Sequence, residues 1–241
     1  MENSVDPGNQ RISAIAFDLD GTLYPNYSLY IRLIPFLLKE QKYLRAFGKA
    51  RDRLRQRAAD RKSNAEDPGE GEFYQRQAQI MGTILKKDPA VLIEKTERII
   101  YRGWEPLFRK VKLFPHVKET LLALREKGIK LGLLSDFPPE VKIDHLGLSG
   151  LWDTMLCSEK IGQLKPHPKA FLELARTMGF PPQNILYVGN SFSYDVEGAQ
   201  NAGMKAAWIR PAKKYLFPEA KKKKADFVFH DYRQLRDFVI T

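Results

Sequence analysis

The sequence predicts an open, doubly wound α/β sheet with a helical segment inserted after its first strand. Three observations predict it. Short apolar runs of strand length alternate with amphipathic stretches that stop at glycine. Residues 25–110 carry apolar side chains at helical spacing, with no strand-like run among them. The chain has 241 residues and is 43% hydrophobic, enough for one sizeable core or a core with a smaller inserted unit. Strands that alternate with helices pair in parallel through right-handed crossovers, which gives the doubly wound arrangement.

In chain order, residues 12–17 form a first strand of the fully buried type. The helical stretch follows. Leu29, Leu33, Phe36 and Leu37, then Tyr43, Leu44 and Phe47, recur at helical spacing. Residues 63–71 are small, polar and acidic, with Pro68 and two glycines, and read as a loop. Asp88 before Pro89 has the form of an N-cap followed by a first-turn proline. The helix it opens has the apolar stripe Leu92, Ile93, Ile99 and Ile100. The stretch thus reads as roughly four packed helices.

After it, a helix over 117–127 stops at Gly128 and leads into a strand over 129–134. A short strand spans 154–157 and ends in Cys157, which reads as a small apolar filler of a buried strand. A helix over 168–178 stops at Gly179 and leads into a strand over 184–188. A helix ending at Gly203 leads into a strand over 206–209, and 226–229 is an edge strand. Lys221 to Lys224 is the one low-complexity run and reads as a solvated loop.

Composition bounds the function. Cys157 is the only cysteine, which excludes an internal disulfide and a cysteine metal cage. No run of about 18 apolar residues appears, and residues 1–10 have no charged-then-apolar start of a secretory signal. The reading is a soluble, cytoplasmic protein without a membrane partner. The net charge of +11 implies an anionic partner. Residues 25–110 hold 19 Lys/Arg and 11 Asp/Glu, so +8 of the +11 lies there.

The chemistry sits at predicted strand ends. In Asp18-Leu19-Asp20-Gly21-Thr22 two carboxylates stand two residues apart after the first strand, on one side of it. In an open α/β sheet ligands bind at the carboxyl ends of the strands. Paired carboxylates repel unless a cation or proton separates them, and an all-oxygen site suits Mg²⁺. Ser135 ends the second strand and offers a hydroxyl and nearby amides to an anion. Lys165, in Lys165-Pro166-His167-Pro168, reaches a phosphate as a point charge. Gly189-Asn190-Ser191 ends a later strand, and Asp195 opens the next helix. Singly, each also reads as an ordinary turn, loop or helix-start residue. Together they converge on one crevice. His167 reads as an N-terminal cap or a surface group rather than a catalytic group.

In this combination the sequence resembles the haloacid dehalogenase superfamily, in the phosphatase branch with a helical cap inserted after the first motif. Asp18 to Thr22 matches the first motif, Ser135 the second, Lys165 the third, and Gly189-Asn190-Ser191 through Asp195 the fourth. The resemblance implies a Rossmann-like core over 1–24 and 111–241, with a helical cap over 25–110 that closes on the site. It implies Asp18 as nucleophile forming an aspartyl-phosphate, and Asp20 as the acid and then the base. Ser135 and Lys165 hold the phosphoryl oxygens. Mg²⁺ is held by Asp18, the Asp20 backbone carbonyl, Asn190 and Asp195. The family's dehalogenases lack a carboxylate at the position of Asp20, so its presence favours phosphoryl chemistry. The residue after the glycine of the fourth motif is commonly Asp. Here it is Asn190, which predicts weaker Mg²⁺ affinity.

The implied function is Mg²⁺-dependent hydrolysis of a small phosphorylated metabolite. Two alternatives accompany it. One is phosphotransfer of the mutase kind within the same family. The other is a non-catalytic nucleic-acid-binding or regulatory protein using the basic cap, for which no recognition motif is present, so nucleic acid is disfavoured. Arg51, Arg53, Arg55 and Arg57 read first as a solvated helix, and second as a field drawing an anionic substrate into the cleft. Tyr24, Asn26 and Tyr27, at the seam, are candidates for substrate contact. The substrate's identity and the oligomeric state are not readable from the sequence.

Overall fold

A computed structural model describes residues 12–60, 70–210 and 224–240. Its six strands are β1 (Ala14–Phe17), β2 (Lys130–Ser135), β3 (Thr154–Cys157), β4 (Ile185–Gly189), β5 (Lys205–Ile209) and β6 (Phe227–Phe229). All neighbours are parallel, in the order β3-β2-β1-β4-β5-β6. That order is doubly wound and Rossmann-like, with its switch point between β1 and β4. The predicted strands all occur, with ends moved by one or two residues. The 154–157 strand is the correction. It is an edge strand with Met155 exposed, although Cys157 itself is buried. Burial pushes its thiol up to about 12, with Glu159 adding to the rise, so it is no nucleophile.

Period-two alternation assigns each strand residue to a layer. Ile15, Phe17, Leu131, Leu133, Leu186 and Val188 pack with Val117, Leu121 and Leu124 of α6 (Val117–Glu126) and Leu235 of α11 (Tyr232–Ile240). Ala14, Ala16, Leu134, Ile185 and Tyr187 pack on the other face with Phe171 and Leu174 of α9 (Pro168–Met178). Gly128 and Gly179 adopt the left-handed conformation just past their helices, which is the stop signal read from the sequence.

Between β1 and α6 lie α1 (Asn26–Lys39), α2 (Gln41–Asp60), α3 (Glu70–Leu85), α4 (Pro89–Thr96) and α5 (Arg102–Phe108). A π-helical turn, Glu97–Tyr101, joins the last two. They enclose their own apolar cluster of Tyr43, Phe47, Ala78, Met81, Leu92, Ile99 and Ile100. The Asp88 carboxylate accepts from the Ala90 amide at 2.8 Å, as the Asp-Pro signal requires. Ile93 of the expected stripe is exposed, because it stands one position round the helix from the buried i, i+4 pair Leu92 and Thr96. The expected loop 63–71 falls outside the described residues, except that α3 already includes its last two positions. Residues 221–223 also lie outside them. α1 is apolar on more than one side: Leu29 and Leu33 are buried, while Tyr27, Ile31, Ile34 and Leu38 are exposed. Among the described residues no helix is long and apolar enough to cross a membrane.

Candidate active site

The loops after β1 and β4 meet at the switch point. The Asp18 amide donates to the Val188 carbonyl at 2.9 Å, one rung beyond the β1–β4 ladder. Gly21 turns the chain back with φ at +90°, and a Cβ there would stand 2.4 Å from Asn190 Nδ2. The strand thus ends in a turn that only glycine allows. After β4 the chain forms a π turn, Phe192–Val196, which carries Asp195. A Cβ at Gly189 would lie 2.2 Å from Asp195 Cβ, so glycine at 189 is what lets this carboxylate fold back onto the strand end. The Ser191 amide donates to Asp195 Oδ2 at 2.9 Å and holds it there.

Lys165 sits between the two carboxylates. Its Nζ donates to Asp18 Oδ1 at 2.6 Å and to Asp195 Oδ1 at 2.7 Å, with the Tyr187 hydroxyl at 3.3 Å. All three charged groups are buried. Burial pushes the Asp18 carboxyl up to about 7; Lys165 opposes the rise, and Asp195 and Asp20 add to it. Burial pulls Lys165 down, but Asp18 and Asp195 outweigh it and hold the ammonium well above its usual range. Thr22 Oγ1 donates to Asp18 Oδ2 at 2.7 Å. Its contact with Asn190 Oδ1 is 3.4 Å, and a single hydroxyl proton serves the shorter one.

Asp20 faces a different partner. Lys142 Nζ, from α7 (Glu140–His145), lies 2.7 Å from both of its carboxylate oxygens. The Tyr24 hydroxyl donates to Oδ1. Tyr24 is buried and Asn26 lines the cavity, whereas Tyr27 is exposed and does not, which removes it from the candidates at the seam.

Two arginines of α2, Arg51 and Arg55, do not belong to a solvated face. Arg51 is buried and donates to the fully buried Glu159, which also accepts from the Tyr101 hydroxyl at 2.9 Å. Arg55 donates from Nη2 to Asp136 Oδ2 at 2.8 Å and from Nε to the Lys165 carbonyl at 3.0 Å. Asp136 Oδ1 accepts in turn from the Lys165 amide at 3.1 Å and from Ser158 Oγ at 2.6 Å. Burial would raise Asp136, but Lys165, Arg51 and Arg55 outweigh it and bring the carboxyl down to about 2. Positions 51 and 55 are one helical turn apart and share the inward face, while Arg53 is exposed. Arg57 has no described side-chain environment.

Ser135 ends β2, where the sequence placed it. It is fully buried, and its Oγ accepts from the Phe137 amide at 3.1 Å. Asp136 and Phe137, the residues after it, line the cavity. His167 caps α9, its Nδ1 accepting from the Lys169 amide at 3.2 Å. The residues missed from sequence are Lys142, Asp136 and Tyr187, while Arg55 was named without its role as a clamp on Asp136. Only the i, i+4 spacing of Arg51 and Arg55 carried a readable signal. The others depend on which loops meet.

These groups open on a cavity of about 720 Å³. Arg55, Lys142 and Lys165 line it against Asp18, Asp20, Glu105, Asp136, Glu140 and Asp195, so the lining is net negative. Among the described residues no three His, Cys, Asp or Glu side chains group as a ready-made metal cage. The donors at the switch point are all oxygens: the carboxylates of Asp18 and Asp195, already converging on one cation, with the Asn190 carbonyl beside them. A hard divalent cation completed by water fits this donor set.

Comparison with known proteins decides the family. The family described as haloacid dehalogenase-like hydrolase matches residues 12–203. The chain belongs to the haloacid dehalogenase-like hydrolases. It is 30% identical to a glyceraldehyde 3-phosphate phosphatase of Methanopyrus kandleri, over 95% of this chain and 97% of that one. It is 29% identical to a phosphoglycolate phosphatase of Haemophilus influenzae, over 94% and 98%. These relatives place it on the phosphatase branch of the haloacid dehalogenase-like family. Solved structures agree on the fold. An L-2-haloacid dehalogenase superposes with a TM-score of 0.65 at 24% identity, covering 96% of this chain and all of that one. A phosphatase of the family from Thermococcus onnurineus gives 0.61 at 24% identity, covering 94% and 97%.

Proposed function

We propose that this haloacid dehalogenase-like enzyme hydrolyses small phosphomonoesters with Mg²⁺, through a phosphorylated Asp18. The observation that carries the reading is the convergence of Asp18, Asp20, Lys165 and Asp195 on one cavity at the sheet's switch point. An Asp18 oxygen attacks phosphorus, and the ester oxygen leaves with a proton from Asp20. Water then attacks the acyl phosphate, gives its proton to Asp20, and releases phosphate and ionised Asp18. Lys165 supplies positive charge to the phosphoryl oxygens. Ser135, at the end of β2, joins Lys165 in holding the phosphoryl oxygens. Asp18, Asn190, Asp195 and the Asp20 backbone carbonyl are the groups that hold Mg²⁺. When bound, Mg²⁺ neutralises phosphoryl charge over a lining that is otherwise net negative.

Residues 25–110 act as a cap over a core formed by 1–24 and 111–241. Support comes from the separate apolar cluster of the helices, and from cavity walls drawn from both parts: Leu29, Leu33, Ile100 and Trp104 against Phe137, Val141 and Phe192. A closed cap excludes bulk water during transfer to Asp18, and the hydrolytic water enters beside Asp20 for the second step. The substrates are soluble phosphorylated metabolites of the size of phosphoglycolate or glyceraldehyde 3-phosphate, met in the cytoplasm. The test is a panel of such metabolites scored for phosphate release with Mg²⁺, with Asp18→Asn as control. Release by the wild type and loss in the variant is the expected result; no release across the panel overturns it.

A further inference from the structure

Lys142 belongs to none of the motifs that mark the site, yet it is the cation that pairs with both oxygens of the carboxylate that serves the leaving group. Its ammonium lies 2.7 Å from both oxygens of Asp20. It is held there between the rings of Phe108, at 5.0 Å, and Phe137, at 5.1 Å. The side chain is only 12% exposed, and it lines the cavity. The other two cations of the cavity are committed elsewhere: Lys165 to Asp18 and Asp195, and Arg55 to Asp136. Among the described residues Asp20 is the one carboxylate within ion-pair distance of Lys142.

This pairing creates a difficulty for turnover that a substrate of the right chemistry resolves. Asp20 must turn an oxygen toward the ester oxygen, which weakens its hold on the ammonium. A half-buried ammonium left against two aromatic rings without its carboxylate is poorly solvated, and another anion in the cavity takes it. An anionic group of the substrate, close to the ester oxygen, meets that need. We propose that Lys142 is a specificity-determining residue that receives a carboxylate on the leaving-group side of the substrate. The favoured class is then the phosphomonoester of a short hydroxy acid, with the carboxylate on the carbon that bears the ester oxygen or on the next one. This inference rests on the phosphomonoesterase reading and adds to it the charge of the leaving group.

The test compares phosphoglycolate with 2-hydroxyethyl phosphate, which puts a neutral hydroxymethyl group in place of the carboxylate. The readout is the ratio of their kcat/KM values in the full-length enzyme with Mg²⁺. The wild type favours the acid. Lys142→Met and Lys142→Gln lower the ratio by about tenfold or more, the scale of one lost charge-assisted hydrogen bond. Lys142→Arg keeps most of it. A wild-type preference for the neutral ester, or a ratio unchanged in the folded Met and Gln variants, overturns the inference and leaves the phosphatase reading standing. Phosphate release from neither ester by the wild type sinks the inference together with the reading beneath it.

Discussion

Burial pushes the Asp18 carboxyl up to about 7, against the pull of Lys165. The folded protein therefore holds a proton there that the unfolded chain loses near the ordinary carboxylate value of about 4. Stability from this group is fully present below about 4 and is lost as pH rises through about 7. In EDTA, urea unfolding of the wild type should show this loss between those values. Asp18→Asn should flatten it; an equal slope in both proteins contradicts the assignment. A cation at the site favours the ionised form, so Mg²⁺ titrated into weakly buffered protein at pH 7 should release protons, and Asp18→Asn should abolish the release. Asn190 is the second residue of consequence. It stands beside Asp18 with an uncharged oxygen, so Asn190→Asp should shift the Mg²⁺ activation curve to lower concentration; an unmoved curve counts against its role as a ligand.

At the scale of elements, α2 is the connection between the inserted helices and the catalytic loops. Arg51 enters a buried site and pairs with Glu159, while Arg55 clamps Asp136 and the Lys165 carbonyl. Taking Arg51 away leaves Glu159 buried and unpaired, a loss of about 3–5 kcal/mol. Arg51→Met should lower Tm accordingly, and the double variant Arg51→Met with Glu159→Leu should recover much of the loss. A strictly additive cycle contradicts a direct pair. The helix caps and stops were legible as local signals: Asp88-Pro89, His167-Pro168, Gly128 and Gly179 all act as their types dictate. The inward turn of Arg51 and Arg55 was not, because arginines on alternate positions of a basic helix look solvated until their carboxylate partners are known. Those partners lie 81 and 108 residues away.

At the scale of the whole molecule, the basic excess and the site are separate facts. The cavity lining is net negative, and Arg51 and Arg55 are matched by core carboxylates. Long-range steering by the remaining surface charge is screened over about 8 Å at physiological salt. Raising salt from 0.05 to 0.5 M should therefore change kcat/KM by no more than about threefold; a steep decline restores the steering field. A doubly wound parallel sheet follows from alternation and the handedness of crossovers, both local in origin, while the strand order β3-β2-β1-β4-β5-β6 was decided by the tertiary structure. So the doubly wound sheet, and the placing of Asp18, Asp20, Lys165, Asn190 and Asp195 at its ends, were determined by the sequence alone. The tertiary structure decided what each of these groups touches. Lys165 bridging Asp18 and Asp195, Lys142 on Asp20, and the arginine clamp all arise where loops far apart in the chain are packed into one volume. There desolvation makes every charge seek a partner, and only the three-dimensional arrangement says which partner is within reach.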